Sequence, residues 1–309
     1  MSHGDKKDPT HSLSQKLISS GLAAGLAAYF MWGLFPVYFK ATQIVSPLEI
    51  LSHRIVWAVP FVAIIILLRK QGASVLAIFK RPQTFFLFIL SAILIAINWG
   101  VYIWAIQIDE IFQASLGYYI NPLLNVVIGI FLFNERLNKW QFTAVGLAAL
   151  GVLILTIYGG AFPFIAICLA VTFGFYGVIC KKVEAGALPG LFAETIILFP
   201  LAGAYMFWLF MSGELKFLQA GDMNLNALLL LAGPLTVTPL FFFAVAARRM
   251  PFSTLGFLQY IAPTLQFICG LYYGEAFTLA HALCFGCIWL AVAVFSYGSW
   301  KKNKPFKTL

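Results

Sequence analysis

Apolar stretches alternate with short polar loops along almost the whole chain. They lie at about 17–39, 47–68, 84–106, 112–133, 139–157, 162–180, 190–211, 225–247, 252–273 and 278–298. Each approaches the roughly 20 helical residues that cross a hydrocarbon core. Gln107 to Ile111 and Asn134 to Asn138 are short connections that force antiparallel neighbours. The pattern predicts an all-α polytopic membrane protein of ten transmembrane helices. The stretch from Gln113 to Glu135 carries Gln113, Gly117, Asn121 and Asn125 at steps of four, on one helical face. Lipid disfavours such a row, so it is expected to face protein or a wet cavity.

The pattern also repeats at an offset of 141 residues. Trp32-Gly33-Leu34-Phe35 with Lys40 matches Phe173-Gly174-Phe175-Tyr176 with Lys181. Asn98 to Tyr102 matches Pro239 to Phe243, and Tyr119-Ile120-Asn121-Pro122 matches Tyr260-Ile261-Ala262-Pro263. The expected organisation is a polar tail at 1–16, a five-helix unit at 17–157, a second at 162–298 and a basic tail at 299–309. An odd number of helices per unit makes the second copy inverted, as in many secondary transporters.

Composition agrees with repeated membrane crossing. The 309 residues are 61% hydrophobic and 10% charged, against about 25% charged in soluble domains. The formal net charge of +9 raises nucleic acid as a partner, but the Lys and Arg residues sit in short loops and at the ends, where they orient the protein. With the N-terminus cytoplasmic, only Lys40, Lys216 and the in-span Arg54 fall outside cytoplasmic segments, so both termini are expected inside. The apolar run after Leu17 is longer than a signal core and is followed by further spans, so it reads as a retained helix. Five cysteines lie in or beside apolar segments; Cys284 and Cys287 lack a second pair, which points to packing rather than metal.

Candidate chemistry comes from polar groups inside spans. Glu49 and His53 share a face and Arg54 is one step round. A charge there costs about 2.5–3.5 kcal/mol on insertion scales, so these groups pair, touch water, or act as a proton-coupling or substrate-charge site. The structural alternative is a salt bridge of Glu49 with Arg54 or Lys40. Glu194 holds the equivalent place in the seventh stretch, with no Arg or His beside it. Asn98, Trp99 and Tyr102 offer aromatic faces beside an amide and a hydroxyl, which suits an amphipathic organic solute. Gln113, Tyr118, Asn121, Asn125, Gln259, Tyr260 and Gln266 add donors and acceptors, and Trp32, Tyr176 and Phe243 add repeat-related aromatic positions. Amides equally bridge helices, and aromatic stripes equally fill cores. Pro36, Pro122 and Pro263 are candidate hinges or fixed kinks. Gly129 and Gly146, Gly270 and Gly286, and Gly25 with Gly33 are expected to permit close helix contact. Phosphate-loop, nucleophile-elbow, zinc-protease and dinucleotide motifs are absent, so neither an enzyme nor a cofactor is expected.

Over about Leu17 to Trp300 the chain resembles the RarD family of EamA-like permeases, in the drug/metabolite transporter superfamily. The resemblance rests on Trp32 to Pro36, Ser46-Pro47-Leu48-Glu49, Ser52-His53-Arg54, Asn98 to Tyr102, Ser115 to Leu123 and Phe257 to Thr264. It implies a bacterial inner-membrane permease working on a small solute. Relatives in the superfamily export amino acids and other metabolites, efflux drugs of the chloramphenicol type, or exchange phosphorylated metabolites and nucleotide sugars. A phosphate exchanger should place several cations in its cavity; here Arg54 is the one basic residue clearly within a span. The residues therefore favour an amphipathic or zwitterionic solute, an amino acid or related metabolite, moved by alternating access with a proton or counter-solute. The fifth and tenth helices, poor in polar groups, are left to brace the units and to support a homodimer.

Overall fold

A computed structural model describes residues 9–133, 139–183, 185–218, 222–250, 255 and 258–302. Side chains are described for these except 9–19, 125–126, 129–133, 181 and 299–302. The described chain is helical throughout: α1 Pro9–Gly33, α2 Phe35–Ala41, α3 Pro47–Leu68, α4 Gly72–Lys80, α5 Pro82–Gln107 and α6 Ile111–Phe133 lead. They are followed by α7 Lys139–Gly159, α8 Phe164–Lys182, α9 Ala187–Ser212, α10 Met223–Arg249, α11 Ile261–Tyr272 and α12 Leu279–Lys302. Among the described residues seven helical spans are long and apolar enough to cross a membrane, and α8 and α11 are shorter apolar helices. The protein is an all-α polytopic membrane protein.

Three local features depart from the uniform spans read from hydropathy. The first span breaks at Leu34, where Pro36 stands in the first turn of α2. Proline lacks the N–H that would continue the upstream ladder, so it starts a new helix. The second feature is α4, a short amphipathic helix that buries Val75 and Ile78 and exposes its other face. In the ninth stretch Gln259 and Tyr260 form a turn before α11, so the ladder is not continuous there.

Start signals are ordinary and local. Ser46 caps α3 by accepting from the Glu49 N–H, with Pro47 at the first turn. Asp222 caps α10 by accepting from Asn224 and Leu225. Gly213, at φ 74°, closes α9 in the left-handed conformation that glycine adopts without strain.

The helices interlock across the chain rather than forming two lobes. The closest-packed pair is α7 with α12. α1 lies along α10, α3 against α9 and α10, α8 against α5 and α6, and α11 against α6 and α1. Small residues set the closest approaches. A Cβ added to Gly233 in α10 would lie 2.3 Å from the Trp57 carbonyl carbon of α3, so the two backbones touch there. Gly117 similarly seats α6 on Ala166 of α8, where an added Cβ would lie 2.8 Å from the carbonyl oxygen. Gly25 and Gly33 do meet partners, Leu258 and Leu265. Gly146 and Gly286 correct the expectation: nothing lies within 4 Å of a Cβ at either. The α7–α12 contact is made instead at Gly151, against Cys284 and Cys287.

Gly233→Ala forces two backbones apart and is expected to destabilise the protein by about 1–3 kcal/mol, the range for overpacking. Gly146→Ala adds a methyl in open space and removes helix-interior glycine, so it is expected to be neutral or slightly stabilising. Apparent melting temperatures in detergent separate the two. A Gly233→Ala protein melting with wild type would show that the helices yield at this crossing.

Candidate functional site

Arg54 sits in α3, buried to 4% exposure. Its Nε donates to Thr236 Oγ1 of α10 at 3.0 Å. Thr236 donates its own proton to the Ala232 carbonyl, which leaves its oxygen free to accept. The guanidinium lies 4.4 Å from the Trp99 ring centroid of α5, and 5.7 and 5.6 Å from Phe35 and Phe39 of α2. Among the described residues no carboxylate comes within 4.0 Å of it. A cation–π contact contributes about 0.5–2 kcal/mol, whereas desolvating a cation costs several kcal/mol. The rings surround Arg54 on several sides but carry no negative charge to pair with it.

Other polar groups within the spans divide into satisfied and unsatisfied ones. Asn98 of α5 is fully engaged: Nδ2 donates to the Leu169 carbonyl and to Thr172 Oγ1 of α8, and Oδ1 accepts from Tyr118 of α6 at 3.3 Å. Its amide ties three helices. Tyr102 and Tyr118 meet edge to face at 5.6 Å, and Tyr102 meets Phe39 at 5.8 Å. The Tyr102 hydroxyl, Asn121 Oδ1 and Gln266 Oε1 are buried with no hydrogen-bond partner among the described residues. An unmatched buried polar atom costs about 1–3 kcal/mol, so each is a candidate contact for a polar ligand. Gln266 uses its Nε2 on the Trp32 carbonyl. Trp32 packs on Phe243 at 5.9 Å, which brings two repeat-related aromatic positions together across α1 and α10.

Other predicted residues sit apart from this cluster. Glu49 forms neither expected bridge: its Oε1 accepts from the Lys216 and Phe217 N–H groups of the α9–α10 loop, and stands 3.9 Å from His53 Nε2. Lys40 pairs with Asp109 instead, at 2.5 Å. His53 accepts from Trp57 through Nδ1, packs on Phe217, and leaves Nε2 without a hydrogen bond. Gln113 bonds Glu110 and the Ile165 N–H, so the polar row of α6 faces α8 at its start. Tyr260 stacks on Tyr119, and Gln259 is half-buried. The side chain of Asn125 lies outside the described residues. Pro36 is buried at the α1–α2 break, while Pro122 and Pro263 are buried within their helices. A groove of about 380 Å³ along α3 and α5, lined by Pro47, Leu48, Gly100, Val101, Trp104 and Tyr205, contains none of these candidates.

Sequence reasoning left two further sets outside the candidate list. Glu194 of α9 is 1% exposed and bridges Ser91 of α5 and Tyr176 of α8. The in-span acid was visible in the sequence, but Ser91 was not, because single serines are unremarkable in apolar helices. At one rim, both oxygens of the half-buried Glu275 accept from the Phe112 N–H at the start of α6, each at 3.0 Å. Burial, with Glu110 and Asp109 nearby, pushes the Glu275 carboxyl up from 4.5 to about 8. Among the described residues no His, Cys, Asp and Glu group could hold a metal.

Residues 19–157 match the model of the EamA-like transporter family. The chain is 45% identical to an uncharacterized transporter of Vibrio cholerae, over 91% of this chain and 93% of that one. It is 40% identical to protein RarD of Escherichia coli, over 92% of this chain and 96% of the relative. The chloramphenicol-sensitive protein RarD of Pseudomonas aeruginosa is 29% identical over 92% and 96%. A crystal structure of a protein 19% identical in sequence shares the fold, with a TM-score of 0.61 over 90% of this chain and 98% of that one.

The Glu275 result carries a sign. Its folded pKa is raised above the unfolded value, so the stability it contributes is complete below about 4.5 and is lost as pH rises through about 8. The wild-type melting temperature is expected to fall across that window relative to Glu275→Gln. Parallel curves for the two proteins would mean that Glu275 keeps its unfolded affinity for protons.

Proposed function

This chain belongs to the RarD family of EamA-like transporters, and on that premise we propose that it moves a small amphipathic or zwitterionic organic solute, an amino acid or related metabolite, outward by alternating access. Family membership makes it a multi-pass secondary transporter of the bacterial inner membrane, and not an enzyme. The finer reading is carried by one observation: a buried guanidinium held in an aromatic cage, with no acidic partner among the described residues.

A solute carboxylate is the partner that Arg54 lacks. Arginine presents a planar fork that takes a carboxylate by two parallel hydrogen bonds, and Nε is already committed to Thr236. The remaining guanidinium nitrogens and the Tyr102 hydroxyl supply donors to the acid group, and Asn121 and Gln266 supply acceptors for an ammonium. Trp99, Phe39 and Tyr118 give apolar faces for a side chain. A diphosphate or nucleotide sugar carries more negative charge than one arginine matches.

The spans are read as ten, in two inverted units of five. The packing supports this reading. α1 on α10 corresponds to α8 on α5, α1 on α11 to α8 on α6, and α7 pairs with its counterpart α12. The loop charges support a reading with both termini in the cytoplasm. The opposite rim is then the one where Glu49 holds the α9–α10 loop, Glu275 holds the start of α6 and Lys40 meets Asp109. In alternating access that rim opens by parting these bonds while the cytoplasmic rim closes. Pro36 at the α1–α2 break is the hinge with the clearest local break; Pro122 and Pro263 shape α6 and α11. A proton or counter-solute supplies the driving force, with Glu49 and His53 candidates for the coupling site. The α7–α12 face is the candidate surface for a homodimer.

Purified protein in liposomes is expected to exchange amino acids and to ignore nucleotide sugars, with chloramphenicol in the same panel as the drug-efflux arm. Arg54→Gln is expected to lower amino-acid flux roughly ten- to hundredfold, the equivalent of about 1.5–3 kcal/mol for a charge-assisted hydrogen bond. Arg54→Lys should keep part of it. Flux of nucleotide sugars, or of chloramphenicol alone, would overturn the amino-acid reading.

A further inference from the structure

The Ser91–Glu194–Tyr176 cluster lies outside the Arg54 cage and bonds three helices through one buried carboxylate. Ser91 is bonded to Oε1 and Tyr176 to Oε2, the latter at 3.3 Å. Ser91 and Glu194 are each 1% exposed. Glu194 lies within the α9 span, deep in an apolar helix. An ionised carboxylate in such surroundings requires a cation or strong desolvation relief.

No cation meets it. α9 packs against α3, α4, α5 and α10. From α3, Glu49 accepts from backbone N–H groups of the α9–α10 loop, His53 accepts from Trp57 and Arg54 donates to Thr236. α4 offers only Lys80 at its end, and α10 offers Arg248 and Arg249 in its last turn, with Arg249 bonded to Ser20. α5 supplies Ser91, and α8 supplies Tyr176 with the neighbouring Cys180 thiol. None of these basic groups comes within 4.0 Å of Glu194 among the described residues.

We propose that Glu194 is a proton-binding site. Its partners are hydroxyls, and a hydroxyl donates or accepts as required. Toward the carboxylate, Ser91 and Tyr176 both donate. Toward the carboxylic acid, one of them turns to accept the acid proton. A salt bridge would fix the charged form; this cluster accommodates both. Binding adds one proton from water to one carboxylate oxygen, and release returns it to water. When α9 parts from α5 and α8, water reaches the carboxyl and the proton can leave. The coupling half of this proposal rests on the alternating-access reading; the protonation half does not.

Infrared difference spectroscopy of the purified full chain tests the site without any solute, with Glu194→Gln and Glu275→Gln compared to wild type. Wild type at neutral pH is expected to show protonated-carboxyl C=O absorption, of which Glu194→Gln removes one component that Glu275→Gln leaves in place. Ser91→Ala is expected to shift the pH at which that component is lost. A wild-type spectrum that Glu194→Gln leaves unchanged at every pH overturns the site. In proteoliposomes loaded with the transported amino acid, a pH gradient is expected to drive accumulation by wild type. Glu194→Gln should keep solute counterflow and lose the response to the gradient. Retention of that response would overturn the coupling, whereas absence of all amino-acid flux would fault the solute assignment and leave the infrared result standing.

Discussion

Hydrocarbon offers no hydrogen bonds, so every polar group within a span must find its partner in protein or in a wet cavity. The helices satisfy the backbone by themselves. The side chains reach three different solutions. Asn98 satisfies its whole amide by joining α5, α6 and α8, and so works as a structural tie. Glu194 meets hydroxyls that tolerate either of its protonation states. Arg54 has aromatic faces and one threonine oxygen, and keeps charge to spare. The three residues fall within spans, yet only the unmatched one points to an anionic ligand.

The same constraint organises the rim. Asp109 there pairs with Lys40, but among the described residues Glu49 and Glu275 form no lysine or arginine bridge. Glu49 binds backbone N–H groups of the loop after α9, and Glu275 binds the first turn of α6. Each acid thus fastens a segment distant in sequence by taking up N–H groups that no helix satisfies. These contacts are electrostatic and local. They can break and reform with little repacking, whereas the apolar interfaces of α7 with α12 cannot.

Hydropathy made the helical class and most spans legible, because apolar runs of this length have few other uses. The polar row on α6 was read correctly as far as Gln113 and Gly117, which face α8. Partner identity was not legible. The structural alternative for Glu49 was a bridge to Arg54 or Lys40, but its partners are backbone groups far away in sequence. Backbone groups carry no signature in a sequence. The break at Leu34 was foreshadowed by Pro36, while α4 was hidden because its short apolar face is too brief to stand out beside whole spans. Close glycine contacts were legible as a class but not by position: Gly146 and Gly233 look alike in the sequence, and only the crossing geometry tells them apart.

The backbone contact between Gly233 and Trp57 bears on how the chain assembles. α3 is made early and its seat on α10 exists only once residues far downstream have entered the membrane. Until then the Trp57 region of α3 has lipid or other helices where its final neighbour belongs, and Arg54 lacks the Thr236 oxygen. Biogenesis of the first half is therefore incomplete by itself: its charged helix waits on the second half for both shape and solvation. Severing the connection between the halves would leave two fragments that mature only by finding each other in the bilayer.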